Sequence, residues 1–199
     1  MLGARLRRET ADGLVVARIV EVEAYGGGVD TPFPDPASHG FRGRTPRNEI
    51  MFGEAGRLYV YRSYGIHLCM NITYGRVGQC GGILLRALEI EDGLELVRAR
   101  RGRPVADRLL ASGPGNVGTA MAIALDDGSL DVLASTSSLT LYPQPVALSE
   151  VSAGPRVGIA RATELRWRLW VTDSPAVSVY RRSPRAPIGP ARPGRSCSQ

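Results

Sequence analysis

An α+β fold is expected for this chain on three observations. Strand-like and helix-like runs follow one another without the regular strand–helix–strand alternation of a parallel sheet. The sequence contains no internal repeat. Its 199 residues, 43% of them hydrophobic, suffice for one core of ordinary size. These observations predict one domain over residues 1–180, followed by an Arg/Pro-rich tail over 181–199 too poor in apolar residues to fold.

In chain order, Leu2–Leu6 is strand-like. Leu14–Ala17 and Arg18–Tyr25 read as strand, and in the second run strict alternation sets Val20, Val22 and Ala24 on one face and Glu21, Glu23 and Tyr25 on the other. A Gly/Pro/Asp-rich loop spans 26–36. Residues 38–48, without period, form an extended ordered loop. Arg57–Tyr61 and Ile66–Ile72 flank a short turn ending in glycine, which predicts a β-hairpin with Tyr64 near its tip. Gly82–Leu88 reads as a buried strand and Glu91–Arg101 as a helix. Ser112-Gly113-Pro114-Gly115 opens a second helix that runs to Ala124, with an amide-rich start suited to an anion. Leu139–Tyr142, Val157–Ile159 and Trp167–Val171 complete the strands.

Composition excludes several chemistries. All 25 cationic side chains are arginine, so no lysine can form a Schiff base or a phosphate-loop contact. Three scattered cysteines and two histidines lack zinc-ligand spacing, which argues against a disulfide scaffold or a bound metal. With neither an apolar run of about 18 residues nor a signal sequence, a cytoplasmic protein is expected. Net charge is +6, but 181–199 carries five arginines and no acid, which leaves +1 over 1–180. The informative charge is local. Residues 39–76 hold six arginines against Glu49 and Glu54, whereas 107–150 hold one arginine against five acids.

Several residues could carry chemistry. A carboxylate beside an aromatic on a strand, Glu21 or Glu23, can act as a general base. The plainer alternative is a surface glutamate, and alternation cannot choose between the two positions. His39 lies in a loop with Arg42, Arg44 and Arg47, a setting for phosphate contacts and base readout, or simply a solvated charged loop. Tyr59, Tyr61, Tyr64 and Tyr74 could stack on bases. Core packing would account for Tyr59 and Tyr61 but not for a tyrosine at an arginine-flanked turn. Arg86, in an apolar strand, needs a buried partner, for which Glu23 is a candidate. Together these groups suit an enzyme that flips a nucleotide out of duplex DNA into a pocket. A non-catalytic nucleic-acid-binding module and an inactive damage-recognition protein are the competing classes.

Val20-Glu21-Val22-Glu23-Ala24-Tyr25, Ala37-Ser38-His39, Arg44-Thr45-Pro46-Arg47-Asn48, Leu58-Tyr59-Val60-Tyr61 with Tyr64-Gly65, Cys69-Met70-Asn71, Leu84-Leu85-Arg86-Ala87, Ser112-Gly113-Pro114 and Pro155-Arg156-Val157-Gly158-Ile159 follow one another in the order of a known family. Over about residues 14–180 the sequence resembles the alkyladenine (3-methyladenine) DNA glycosylases. That resemblance implies a metal-free and cofactor-free monomer, with a curved antiparallel β-sheet flanked by helices and a projecting hairpin. It assigns the general base to Glu23, and it gives Arg86 and the Val157 carbonyl to holding the attacking water. Tyr25, His39 and Tyr61 become walls of the base pocket, which Leu84 also lines, and Asn71 discriminates against guanine. Tyr64, with Gly65 beside it, enters the minor groove, and Arg42, Arg44 and Arg47 face the DNA. The implied reaction is monofunctional hydrolysis, from double-stranded DNA, of alkylated or deaminated purines such as 3-methyladenine, 7-methylguanine, hypoxanthine and ethenoadenine. Three features depart from the family pattern: a longer, proline-rich loop between Tyr25 and His39, Asn116 where a basic residue is frequent, and a strand-like start where relatives usually begin with a helix.

Overall fold

In a computed structural model that describes residues 1–187, the chain forms one antiparallel sheet with two helices. The strands are β1 (Arg5–Thr10), β2 (Gly13–Tyr25), β3 (Leu58–Ser63), β4 (His67–Thr73), β5 (Gly82–Asp92), β6 (Leu139–Tyr142), β7 (Val151–Gly154) and β8 (Arg168–Val171). Helix α1 covers Leu94–Arg101 and α2 Pro114–Ala120. The sheet order is β3-β4-β5-β2-β1-β6, with β8 joining β2 to β7.

The 13 residues of β2 organise the molecule. Along one edge β2 pairs with β5, from Val16 opposite Asp92 to Tyr25 opposite Gly82. Along the other, Gly13–Arg18 pair with β1 whereas Glu21–Glu23 pair with β8. The exchange of partners coincides with a register irregularity between Ile19 and Val22. An extra residue in a strand bends it and reverses the parity of every side chain beyond. Val20 therefore packs with Ala87, Val171 and Ala176, while Val22 joins Ile19 and Leu85 in the main core. This corrects the expectation that Val20, Val22 and Ala24 share one face.

The main core lies between the sheet and the two helices, where Leu6, Ile19, Leu58, Met70 and Leu85 meet Val97, Val117 and Met121. Gly118 is what allows α2 to approach β4, since a Cβ there would lie 2.0 Å from the Leu68 carbonyl oxygen. The helix stops at Ala120, short of the expected Ala124, and Ala122 has a positive φ of 45°. Helix α1 begins at Leu94 because β5 remains paired through Asp92. Residues 157–159 are not a strand. Gly158 has φ 72°, and its N–H is bonded to the Arg181 carbonyl. The strand in this region is β7, which begins six residues earlier.

The first residues of the expected tail are packed against the body. Ser183 and Ala186 are buried, and an Arg182 Nη donates to the Ala186 carbonyl at 2.9 Å. The rest of that segment, 188–199, lies outside the described residues. Among the described residues no helix is long and apolar enough to cross a membrane.

Candidate active site

One row of paired residues crosses four strands: Glu23 on β2, Leu84 on β5, Asn71 on β4 and Tyr59 on β3. All four border a cavity of about 420 Å³. Tyr61 and its cross-strand partner Cys69 line it one step along the hairpin. Tyr25, His39, Arg86, Val157 and Tyr64 complete the set, so the cavity gathers residues far apart in the chain that the sequence singled out. Arg42, Arg44 and Arg47 do not line it. They are exposed on the loop that carries His39, and Gly65 is exposed beside Tyr64.

Glu23 is wholly buried and held through both oxygens. Its Oε1 accepts the Val157 N–H at 2.6 Å, and its Oε2 accepts the Tyr25 hydroxyl at 2.8 Å and lies 3.3 Å from Arg86 Nη1. A carboxylate offers about four lone-pair positions. Two hydrogen bonds and the charge of Arg86 thus orient Glu23 at the cavity it borders.

Neither glutamate is on the surface, which removes the plainer alternative for both. Glu21 is also wholly buried, but it is absent from the cavity lining and spent internally. Its Oε1 accepts Arg86 Nε at 3.0 Å, Arg168 Nε at 2.6 Å and the Ser178 hydroxyl at 2.9 Å, and its Oε2 accepts the Ser178 N–H at 2.7 Å. Arg86 was expected to pair with Glu23; it bridges both carboxylates, hydrogen-bonding Glu21 through Nε. A buried guanidinium between two buried carboxylates answers the desolvation that either would otherwise suffer.

Tyr25, Tyr59 and Tyr61 stay protonated. Burial raises the Tyr25 pKa well above its usual range, with the Glu23 charge adding to it, and burial likewise raises Tyr59 and Tyr61. The Cys69 thiol is also pushed up by burial. His39 Nδ1 is 3.0 Å from the Tyr59 hydroxyl, and its ring stands edge-on to Tyr61 with centroids 4.7 Å apart. Desolvation against this wall, then the Arg47 charge, lower its pKa and favour neutral imidazole. The loop is held by Asn48, whose Nδ2 donates to the carbonyls of His39 (2.9 Å) and Gly43 (3.1 Å). Asn71 donates to the Tyr59 carbonyl at 3.3 Å.

Tyr64 differs from all these. It is 90% exposed and has φ 49°, followed by Gly65 at 71°. Two positive φ values suit a tight hairpin turn, but a non-glycine residue in the first position is strained. Strain of this kind marks places where something other than stability is selected.

Sequence reasoning missed the Glu21–Arg168–Ser178 cluster and the pair formed by Asp35 and Arg156. Arg156 was quoted within a motif without a role, and Asp35 was treated only as part of a loop. No local signal in the sequence joins these residues to Glu21 and Asp35, since the partners lie 121 to 157 positions apart.

A family model described as methylpurine-DNA glycosylase matches residues 1–175. A Nocardia farcinica protein is 53% identical over 190 residues, covering 94% of this chain and 87% of its own length. One from Rhodococcus jostii is 56% identical over 175 residues (87% and 77%), and one from Mycobacterium tuberculosis is 49% identical over 173 (87% and 84%). Each of the three is named "Putative 3-methyladenine DNA glycosylase". A match of this extent, on a fold that brings the motif residues to one cavity, shows that the chain belongs to the methylpurine-DNA glycosylase family.

Proposed function

We propose that this chain is a monofunctional DNA glycosylase that flips alkylated or deaminated purines, 3-methyladenine among them, out of duplex DNA and hydrolyses their N-glycosidic bond with water. Family membership carries the coarser activity, hydrolysis of N-glycosyl bonds in DNA. The observation that supports the finer reading best is Glu23, a buried carboxylate fixed by two hydrogen bonds and the Arg86 charge at the border of a cavity walled by Tyr25, Tyr61 and His39.

The chemistry follows from that arrangement. A flipped purine enters between aromatic walls, where an N-alkylated, cationic base gains cation–π attraction of order 1 kcal/mol or more. As the glycosidic bond lengthens, Glu23 takes a proton from water attacking C1′, and its charge steadies the oxocarbenium-like sugar. The base leaves with the bonding electron pair, and the product is an abasic site. Arg86 and the Val157 N–H hold Glu23 in place throughout. Asn71 and the His39 loop read the edge of the base, Leu84 packs against it, and the exposed Tyr64 fills the vacated stack. Gly65, Arg42, Arg44 and Arg47 follow the phosphates, at positions where exposed guanidinium groups are free to do so. The domain, residues 1–180 with the packed Ser183 and Ala186, acts as a monomer.

The test is incubation with duplexes containing 3-methyladenine, hypoxanthine or ethenoadenine, followed by alkali. Strand cleavage only after alkali, with no covalent adduct trapped by borohydride, is expected. Borohydride trapping, or nicking without alkali, would refute hydrolysis by water. Binding without base release on every substrate would make the chain a recognition protein instead.

A further inference from the structure

The proline-rich loop between Tyr25 and His39 brings Asp35 into the interior, where it meets Arg156. Both side chains are fully buried. Arg156 Nη1 donates to Asp35 Oδ2 at 2.6 Å and Nη2 to Oδ1 at 2.8 Å, a two-pronged pair, and Nη1 also reaches the Ala24 carbonyl at 3.0 Å. Asp35 further accepts the N–H groups of Gly26 and Ala37. Gly26 is required for this return of the chain, because a Cβ there would lie 2.0 Å from the Phe33 carbonyl oxygen.

The faces of the guanidinium meet aromatic rings. Its central carbon lies 4.5 Å from the centroid of Tyr25 and 5.3 Å from that of Trp167. Tyr25 lines the cavity and Arg156 does not, so the arginine backs the ring from the protein side. A bidentate carboxylate matches a guanidinium along its edge, in the guanidinium plane, and leaves the faces to the rings. The cation–π contacts among the described residues fall on Tyr25, Trp167 and Trp170 and leave Tyr61 without one. The two tyrosine walls of the cavity are thus electrically unequal.

We propose that Arg156, held by Asp35, is a specificity-determining residue: its charge on the back of Tyr25 weakens that wall's attraction for a cationic base, so that neutral deaminated purines compete with cationic alkylated ones. This rests on the glycosylase reading above. An aromatic ring attracts cations through the negative potential of its faces. With one face already occupied by a guanidinium, whose charge the carboxylate of Asp35 offsets from the guanidinium edge and not at the ring face, a second cation across the ring meets a diminished π cloud. Preference for cationic bases then falls mainly to Tyr61.

Single-turnover base release from duplexes carrying 7-methylguanine (cationic) and hypoxanthine (neutral) tests the inference through the ratio of the two rates. Asp35→Asn/Arg156→Met removes both charges together and should raise the cationic-to-neutral ratio roughly fivefold, the size of one cation–π contribution. Asp35→Asn alone leaves the guanidinium unneutralised and should lower the ratio. A second pair of variants leaves the buried ion pair intact: Tyr25→Leu should slow both substrates equally, whereas Tyr61→Leu should slow 7-methylguanine more than hypoxanthine. Equal losses on both substrates in the double variant, or a Tyr25→Leu effect concentrated on 7-methylguanine, would overturn the inference. If the wild-type chain releases neither base, the glycosylase reading fails, and that outcome is distinct from an unchanged ratio.

Discussion

Glu21 and Glu23 stand two residues apart on one strand, both wholly buried, both within reach of the same arginine, and they are in different situations. Around Glu21 four donors come from Arg86, Arg168 and Ser178, and it does not line the cavity that Glu23 borders. Around Glu23 two hydrogen bonds and the Arg86 charge fix the carboxylate, and the residue borders the cavity. The difference shows that burial and a charge partner do not by themselves make a catalytic group. Under the proposed function, a place at the border of the cavity distinguishes the working carboxylate from the structural one.

Arg86 links the two regions, so its loss should be felt most widely. Arg86→Met would leave two buried carboxylates without their shared cation, a cost of about 3–5 kcal/mol in stability. Base release should fall with it by roughly a hundredfold or more, as when a transition-state donor is lost. Chemical denaturation and single-turnover excision on the same preparation would show both losses, and a variant that keeps either property intact would separate the regions. Glu21→Gln tests the structural side alone. It should cost about 3 kcal/mol, because buried Arg168 loses its carboxylate and Arg86 keeps only Glu23, while the folded fraction excises bases within a few-fold of wild type. A loss of excision without a loss of stability would move Glu21 into the catalytic group.

The hairpin tip extends the comparison to a residue that does nothing for the fold. Tyr64→Gly should leave stability unchanged or raise it by about 1 kcal/mol, because glycine relieves the positive φ. Excision should still fall roughly tenfold or more, since the energy of the flipped state depends on what fills the gap. A marked drop in melting temperature would instead make the ring a packing group.

The smallest effect concerns His39, whose pKa is lowered from 6.5 by desolvation and by Arg47. A histidine whose folded-state pKa is depressed contributes stability that is full above its unfolded value, near 6.5, and is lost as pH falls toward the folded one. Arg47→Gln removes the like charge and should raise the His39 pKa toward 6.5. With only two histidines in the chain, an NMR titration reads this directly, and no shift would mean that Arg47 is not a neighbour in solution.

Much of this was legible in the sequence, and what escaped it has physical reasons. The Leu58–Thr73 hairpin, the strand Leu139–Tyr142 and the buried run from Gly82 carry strong β patterns, and each forms where expected. The face assignment in β2 failed because strict alternation presumes an unbroken pairing, and a register irregularity between Ile19 and Val22 leaves no signature in hydrophobic spacing. Residues 157–159 look like a strand by composition. Their N–H groups are used elsewhere, Val157 on Glu23 and Gly158 on the Arg181 carbonyl, and both partners are remote in sequence. The Asp35–Arg156 pair spans 121 residues. Local pattern can name such residues but cannot join them.

Glu23→Gln tests most directly whether Glu23 performs the chemistry without being needed for binding. With equal amounts of folded protein, the variant should bind a lesion-bearing duplex as wild type does and release base slower by a factor of about 10²–10⁴, the usual contribution of a general base. Release within a few-fold of the wild-type rate would contradict the account and place the base elsewhere in the cavity.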